Sequence, residues 1–182
     1  MSVNWAAYAA VMQEKIEQLT LAEQYRYWVT NLIGAPYRWG QEGPLGTDCS
    51  GTIAFALWMM GFDIRTTAQG LLDRVFTVPS DSYDESKAQA VFYLTTRESK
   101  HGDRVVPAGT AIHVTALVGP GVVVNAGDTV TISRQESIEG WFRTRKGSES
   151  RIRAIDWEVA RQLSQRGTEA WGVDPILMEL RG

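Results

Sequence analysis

The single cysteine of the chain, Cys49, stands in a sequence context typical of a nucleophile. The polar residues Asp48 and Ser50 flank it, a glycine-rich loop (residues 34–47) precedes it, and an apolar segment (residues 49–60) follows. Asp48 suits a helix N-cap, which predicts the thiol in the first turn of a helix, where unpaired amides and the helix dipole favour a thiolate. The same amides are suited to stabilise the oxyanion that forms when sulfur attacks a carbonyl. The alternative is a small buried hydrophobic residue, which a lone cysteine usually is.

A thiol nucleophile needs a base, and the base needs an orienting group. The candidate base is His113, 64 residues after the cysteine. If residues 119–121 (GPG) form a three-residue hairpin loop, Val118 pairs with Val122, and Asn125 becomes the diagonal same-face neighbour of His113. The order cysteine, histidine, asparagine matches a papain-like arrangement. A half-buried histidine with a structural role is the alternative.

The elements predicted around these residues form an α+β pattern, with helices first and a run of strands afterwards. A capping box formed by Thr20 and Glu23 begins the first helix, and Gly34 is its predicted left-handed C-cap. Helical spacing and caps predict helices over residues 20–33, 49–60, 66–75 and 156–166. Residues 79–85 read as an acidic loop and residues 96–109 as a charged stretch. Strands are predicted over residues 90–95, 112–118, 122–125 and 129–133.

Several motifs resemble the NlpC family of cell-wall cysteine peptidases. They are residues 34–40 (GAPYRWG), 48–51 (DCSG) and 64–69 (IRTTAQ), followed by the pairs His113-Val114 and Asn125-Ala126. The resemblance covers about residues 25–133. It implies a papain-like α+β fold in which the nucleophile-bearing helix packs on a small antiparallel sheet, here with extra N- and C-terminal helices. It also implies a peptidase that cuts peptidoglycan stem peptides between D-γ-glutamate and the diamino acid.

The same resemblance implies roles for individual residues. Cys49 is the expected nucleophile, His113 the base and Asn125 the residue that orients the imidazole. Tyr37 is expected to place its phenol near the oxyanion. Asp48, Ser50 and Trp39 are the expected substrate-binding residues, and the first two line a subsite for the free amine of the stem L-alanine. An amidase or acyltransferase on the same scaffold, or a catalytically silent wall-binding module, are the alternatives.

Length, charge and composition exclude several other classes. A chain of 182 residues with 44% hydrophobic residues suits a single domain, which we predict over residues 1–182, with an extension after about residue 134. A net charge of −3 argues against a nucleic-acid partner. One cysteine and two histidines are too few for an internal disulfide or a Cys/His zinc site. We therefore expect no metal, cofactor or membrane span. The resemblance implies a monomer whose partner is a stem peptide.

The remaining features have simpler interpretations. The first residues lack a basic region and read as an amphipathic helix rather than a signal peptide, so we expect action on the wall after export or release. The basic residues between Arg143 and Arg153 read as a solvated loop, with an anionic wall polymer or partner as the alternative contact. Most tryptophans, Trp28 and Trp58 among them, are expected in the core or the cleft wall rather than on a sugar platform. Asp128 is the rival of Asn125 as orienting residue.

Overall fold

The computed structural model describes residues 12–101 and 104–166. Five helices follow a short helical segment at residues 12–17: α1 (Leu21–Thr30), α2 (Cys49–Met59), α3 (Ala68–Arg74), α4 (Gln135–Lys146) and α5 (Trp157–Arg166). The eight strands of this region are β1 (Val78–Ser80), β2 (Gln89–Thr95), β3 (Ser99–His101), β4 (Arg104–Val106), β5 (Ala111–Gly119), β6 (Val122–Ala126), β7 (Val130–Arg134) and β8 (Ser148–Ala154). The expected α+β class is confirmed.

Six strands form one antiparallel sheet in the order β1-β8-β2-β5-β6-β7, and β3 pairs with β4 as a separate hairpin. The three helices α1 to α3 pack with one face of the large sheet around the main hydrophobic core, which includes Tyr25, Ile53 and Phe92. The opposite face carries a smaller cluster of Val91, Tyr93, Leu117 and Val123, against which α4 packs. The helix that carries Cys49 therefore packs on the sheet as expected.

The helix starts agree with their caps. Thr20 and Glu23 form the predicted capping box, and Asp48 caps α2 by accepting a hydrogen bond from the Gly51 amide. Asp156 accepts hydrogen bonds from two amides at the start of α5. The predicted C-cap of α1 is wrong: the helix ends at Thr30, Asn31 is the cap, and Gly34, with its positive φ, lies in the turns beyond.

Five elements lie outside the predicted helices and strands. Pro79, assigned to an acidic loop, is in β1, an edge strand in which a missing N–H is tolerated. The charged stretch contains the β3–β4 hairpin. The solvated loop predicted for the basic residues is wrong, since they lie on the last turn of α4 and on β8. The predicted amphipathic segment at the N-terminus lies mostly outside the described residues, and Ile16 near its end is buried.

The extension after residue 134 takes part in the sheet. Strand β8 pairs with β2 along its whole length, from Gln89 opposite Ala154 to Thr95 opposite Ser148, and with β1 on its other side. None of the described helices is long and apolar enough to cross a bilayer.

Candidate active site

The glycine-rich loop is held by backbone hydrogen bonds to two neighbouring segments, the turn after β6 and the start of α2. The Tyr37 amide donates to the Asp128 carbonyl at 2.9 Å, which ties the loop to the turn between β6 and β7. The Asp48 amide donates to the Gln41 carbonyl at 3.0 Å, so the loop folds back on the start of α2. A Cβ on Gly51 would lie 2.1 Å from the same Gln41 oxygen, so only glycine fits beside the loop at this point of the helix.

Cys49 is the first residue of α2 and is partly buried. Burial raises the pKa of its thiol to about 12, and the Asp48 carboxylate acts in the same direction. The amides of Val114 and Ser50 donate towards the sulfur and oppose this shift, as does the Arg65 charge. The expectation of a stabilised thiolate is therefore wrong for the resting site, because burial and the neighbouring carboxylate outweigh the amides at the helix start.

His113 and Asn125 face each other across β5 and β6. Nε2 of His113 lies 2.8 Å from the Asn125 side-chain oxygen. A carbonyl oxygen only accepts, so the contact fixes the proton on Nε2 and leaves Nδ1 as the basic nitrogen. Asp128, the rival orienting residue, is exposed, and its described contact is the backbone one with Tyr37. The predicted neighbourhood of His113 and Asn125 is confirmed.

The pairing register of β5 and β6 is the predicted one near His113, but the turn between the strands is not the predicted turn. Gly119 belongs to β5 and lies opposite Val122, so the turn contains two residues rather than three. Val118 is an extra residue in β5, and this bulge restores the predicted pairing of Leu117 with Val123. The wrong loop length and the bulge cancel, which is why the predicted diagonal holds.

The contact expected between Cys49 and His113 is not made directly. The amide of Val114, the residue after His113, donates towards the sulfur of Cys49. No hydrogen bond joins this sulfur to the His113 ring, although both residues lie in the described part of the chain. In unliganded sites such contacts are often long and tighten on substrate binding. Burial lowers the pKa of His113, while the Asn125 hydrogen bond and the Asp48 charge oppose the shift.

Asp48 is buried and has four hydrogen-bond donors inside the protein. Oδ1 accepts from the Gly51 amide at 2.6 Å and from Ser50 Oγ at 2.9 Å. Oδ2 accepts from the Gly40 amide at 2.8 Å and from Arg65 Nη2 at 3.0 Å. These contacts favour a structural role in the turn and the helix cap. The predicted role in binding a substrate amine stays a prediction for Asp48 and Ser50.

The buried Arg65 is a site residue to which the sequence gave no role. Nη1 donates to Ser50 Oγ at 2.9 Å, and Nε lies 2.5 Å from the Glu42 carboxylate. Its place in the IRTTAQ motif was the available signal. Beside it lies a cavity of about 420 Å³, lined by residues 42–44 and 63–65 and by Ala54, Phe55 and Trp58 of α2. Trp58 is 62% exposed, so it is a cavity-wall residue and not a core residue.

The other predicted site residues divide between the cleft and the surface. Tyr37 is partly buried against the core, and burial together with the charges of Cys49 and Asp48 raises the pKa of its phenol to about 12. The phenol therefore stays protonated at neutral pH, as a donor to an oxyanion must be. Trp39 is 73% exposed, so its substrate-binding role stays a prediction. The described residues contain no group of His, Cys, Asp and Glu able to hold a metal ion.

Comparison with known proteins decides the family. The pattern of the NlpC/P60 family matches residues 34–146, which is more than half of the chain and spans the cysteine, the histidine and the asparagine. The chain belongs to the NlpC/P60 family. The resemblance seen in the sequence is thereby confirmed, and with it the assignment of this domain to a family of hydrolases that act on peptidoglycan.

The relatives of this NlpC/P60 chain are distant. It is 28% identical over 137 residues to the probable endopeptidase Cgl2188 of Corynebacterium glutamicum, covering 73% of this chain and 58% of that protein. The NlpC/p60 domain of the peptidoglycan hydrolase SagA superposes with a TM-score of 0.50 and 21% identity, covering 74% of this chain and 97% of that domain. RipD of Mycobacterium tuberculosis, a non-catalytic NlpC/p60 domain protein, superposes with a TM-score of 0.46 and 18% identity, covering 74% of this chain and 97% of that chain.

The protonation state of this NlpC/P60 site predicts how its thiol reacts with an alkylating reagent. Because the pKa of Cys49 is raised to about 12, the thiolate fraction, and with it the rate of alkylation by iodoacetamide, should rise about tenfold per pH unit from pH 6 to 9. The urea-unfolded chain, whose single thiol has an ordinary pKa of about 8.5, is the matched reference and should react faster at every pH in this range. A rate that is already constant above pH 5 would show a resting thiolate and contradict this assignment.

Asp48→Asn should destabilise the fold more than it alters substrate choice. An asparagine cannot accept from all four donors, and a hydrogen bond to a charged group contributes about 1.5–3 kcal/mol, so we expect a loss of about that size in urea unfolding. Asp128→Asn, at an exposed position of the same site, should stay within about 0.5 kcal/mol of the wild type. Peptides with free and blocked N-termini should lose cleavage equally. A loss restricted to the free amine would restore the substrate-binding role of Asp48.

Proposed function

We propose that this domain is a cysteine endopeptidase that hydrolyses an amide bond in peptidoglycan stem peptides. The observation that carries the proposal is the 2.8 Å contact between His113 Nε2 and the Asn125 oxygen. It fixes the proton on one ring nitrogen and leaves the other free to act as a base beside the helix start that holds Cys49.

The raised pKa of Cys49 and the lowered pKa of His113 favour general-base catalysis from a neutral pair. Nδ1 of His113 takes the thiol proton as the sulfur attacks the substrate carbonyl. The carbon–nitrogen bond of the amide then breaks, His113 gives the proton to the leaving amine, and a thioester to Cys49 remains. Water, deprotonated by the same nitrogen, releases the acid and restores the thiol.

The developing oxyanion has a candidate donor in the phenol of Tyr37. Its pKa of about 12 keeps the O–H in place at neutral pH, and its shift is caused in part by the charges of Cys49 and Asp48, which marks its closeness to the reacting sulfur. A donor aimed at charge that exists only in the transition state raises turnover rather than affinity. Tyr37 is therefore assigned to turnover.

The proposed bond joins D-γ-glutamate to the diamino acid of the stem peptide. The family membership and the name of the probable endopeptidase from C. glutamicum support a peptidase acting on the wall. The chain spans 58% of that relative, so the activity of the whole protein is also part of the proposal. The choice of bond rests on the resemblance of the sequence motifs alone.

A catalytically silent wall-binding module is the second candidate. Two features favour it: burial raises the pKa of the Cys49 thiol to about 12, and no hydrogen bond joins this thiol to His113 within the described part of the chain. The family also contains a non-catalytic protein, RipD. A silent module retains peptide binding while producing no fragments.

The deciding experiment is digestion of a defined stem tetrapeptide, L-Ala-D-γ-Glu-diamino acid-D-Ala, followed by mass analysis of the products. The proposal expects the dipeptides L-Ala-D-Glu and diamino acid-D-Ala. Retention of the intact peptide on immobilised protein without fragments would favour the binding module instead. Fragments from another position would keep the peptidase and correct the bond.

A further inference from the structure

Two aromatic rings pack against the imidazole of the proposed base. The ring of Phe142 is stacked on the His113 imidazole, with centroids 4.7 Å apart and an angle of 22° between the planes. Phe142 is also stacked on Tyr93, at 4.8 Å and 26°. Tyr93 in turn lies 5.6 Å from His113 at 46°. Each ring therefore contacts both others, and the imidazole is packed against two aromatic neighbours.

Phe142 comes from α4, the helix that the sequence did not predict. The helix is fixed on the sheet by Glu139, which accepts hydrogen bonds from Ser150 Oγ at 2.8 Å and from Gln135 at 2.7 Å. Ile138 packs on the same cluster as Phe142, one turn earlier. Phe142 and Ile138 thus pack on the same cluster from neighbouring turns of α4, and of these two it is Phe142 that has a ring contact with His113.

A single hydrogen bond does not fix the plane of an imidazole. The contact with Asn125 locates Nε2, yet the ring can still turn about the line of that hydrogen bond. Turning swings Nδ1, the nitrogen that must accept the thiol proton, away from its target. A face-to-face ring neighbour removes this freedom, because turning the imidazole out of the stack gives up the contact between the two faces.

We propose that Phe142 is a positioning residue for the proposed base: its ring holds the plane of the His113 imidazole in which Nε2 meets Asn125. This inference rests on the proposed function of His113. It gives the extension after residue 134 a part in the reaction, since α4 then carries a residue that acts on the base without touching the substrate.

The groups around the imidazole explain what a change at Phe142 would do to its proton affinity. Asp48 acts on His113 through its charge, Asn125 through the hydrogen bond, and Tyr93 packs on the ring with its hydroxyl 3.4 Å from that of Thr115. Glu139 acts on Tyr93 from α4. Burial is the main cause of the lowered pKa of His113, and Phe142 is part of what buries it.

The test compares Phe142→Leu, which keeps apolar volume but removes the ring, with Phe142→Tyr, which keeps the ring. With the tetrapeptide as substrate, Phe142→Leu should lower kcat about ten- to hundred-fold, the cost of a misplaced catalytic group, with KM changed less than about threefold. The acid limb of its pH profile should move to higher pH. Phe142→Tyr should stay within about threefold of wild-type kcat and keep the wild-type acid limb.

Ile138→Ala is the matched control, since it removes more packing from the same helix and cluster without a ring contact to His113. It should lower the unfolding midpoint while keeping kcat within about threefold. An unchanged kcat and acid limb in Phe142→Leu would overturn the inference, and so would an equal loss of kcat in Ile138→Ala. His113→Gln distinguishes a failure of the inference about Phe142 from a failure of the proposed function. If this variant retains hydrolysis, the proposed function is wrong, whatever the result for Phe142.

Discussion

Cys49→Ala is expected to abolish hydrolysis of the stem tetrapeptide, with a loss of at least about a thousand-fold in kcat/KM. The chain has one thiol, so no other cysteine can take over the attack. The substitution lies in the first turn of α2, where alanine is well tolerated and the Asp48 cap is untouched. The thermal unfolding midpoint should therefore stay close to that of the wild type.

Cys49→Ser is the conservative companion of this variant. A hydroxyl keeps the size and polarity of the side chain but is a far weaker nucleophile without a dedicated activating site. It should bind the tetrapeptide as the wild type does and cleave it at least about a thousand-fold more slowly. Full activity in either variant would end the cysteine-peptidase account, while activity lost together with peptide binding would point to damage in the cleft.

His113→Gln should cost more than any change at Asn125. General-base catalysis contributes about a hundred- to ten-thousand-fold, and glutamine keeps a hydrogen-bonding group but cannot take the thiol proton. Asn125→Ala removes only the group that selects the tautomer, so we expect a smaller loss, about ten- to hundred-fold in kcat. Asn125→His should keep substantial activity, because the unprotonated nitrogen of a neutral imidazole can also accept the hydrogen bond from His113 Nε2.

Asp128→Ala is the control for the orienting role. Its side chain is exposed, so the variant should cleave the tetrapeptide at close to the wild-type rate. A loss in Asp128→Ala larger than that in Asn125→Ala would transfer the orienting role to Asp128. Equal losses in His113→Gln and Asn125→Ala would mean that the amide does more than orient the ring.

The sequence predicted best where structure is set by neighbours along the chain. The start of α2 at Cys49 follows from the Asp48 cap, and the start of α1 from its capping box. The pairing of His113 with Asn125 also held, although two errors had to cancel, because the bulge at Val118 offsets the shorter turn. Alternating strands predict which residues share a face, but they do not predict a bulge.

The predictions that were wrong concern elements whose structure depends on contacts between segments distant in the sequence. Helix α4 has few apolar residues, and its place is set by packing on the far face of the sheet, so its pattern alone read as a loop. The polar strand β8 is held by hydrogen bonds to β2 and β1 on its two sides, which no local signal in its sequence indicates.

Burial was the other source of error. The helix start predicted a lowered pKa for Cys49, yet the packing around the sulfur raises it. For Trp58 the sequence left the core and the cleft wall open, and its place in the cavity beside Glu42 and Arg65, where the side chain is 62% exposed, decides for the wall. Both the pKa of Cys49 and the place of Trp58 depend on which segments close over a residue, and a sequence pattern carries little information on that.

The central claim is that a thioester forms on Cys49 during cleavage, and rapid-quench mass spectrometry of the protein tests it most directly. When the tetrapeptide is mixed with the wild-type protein and quenched in acid within the first turnover, we expect an added mass equal to the L-Ala-γ-D-glutamyl acyl group. Digestion should place it on the peptide containing Cys49, and Cys49→Ala should acquire none. Hydrolysis that proceeds with the acyl group on another residue, or with the same yield of fragments from Cys49→Ala, would contradict the account.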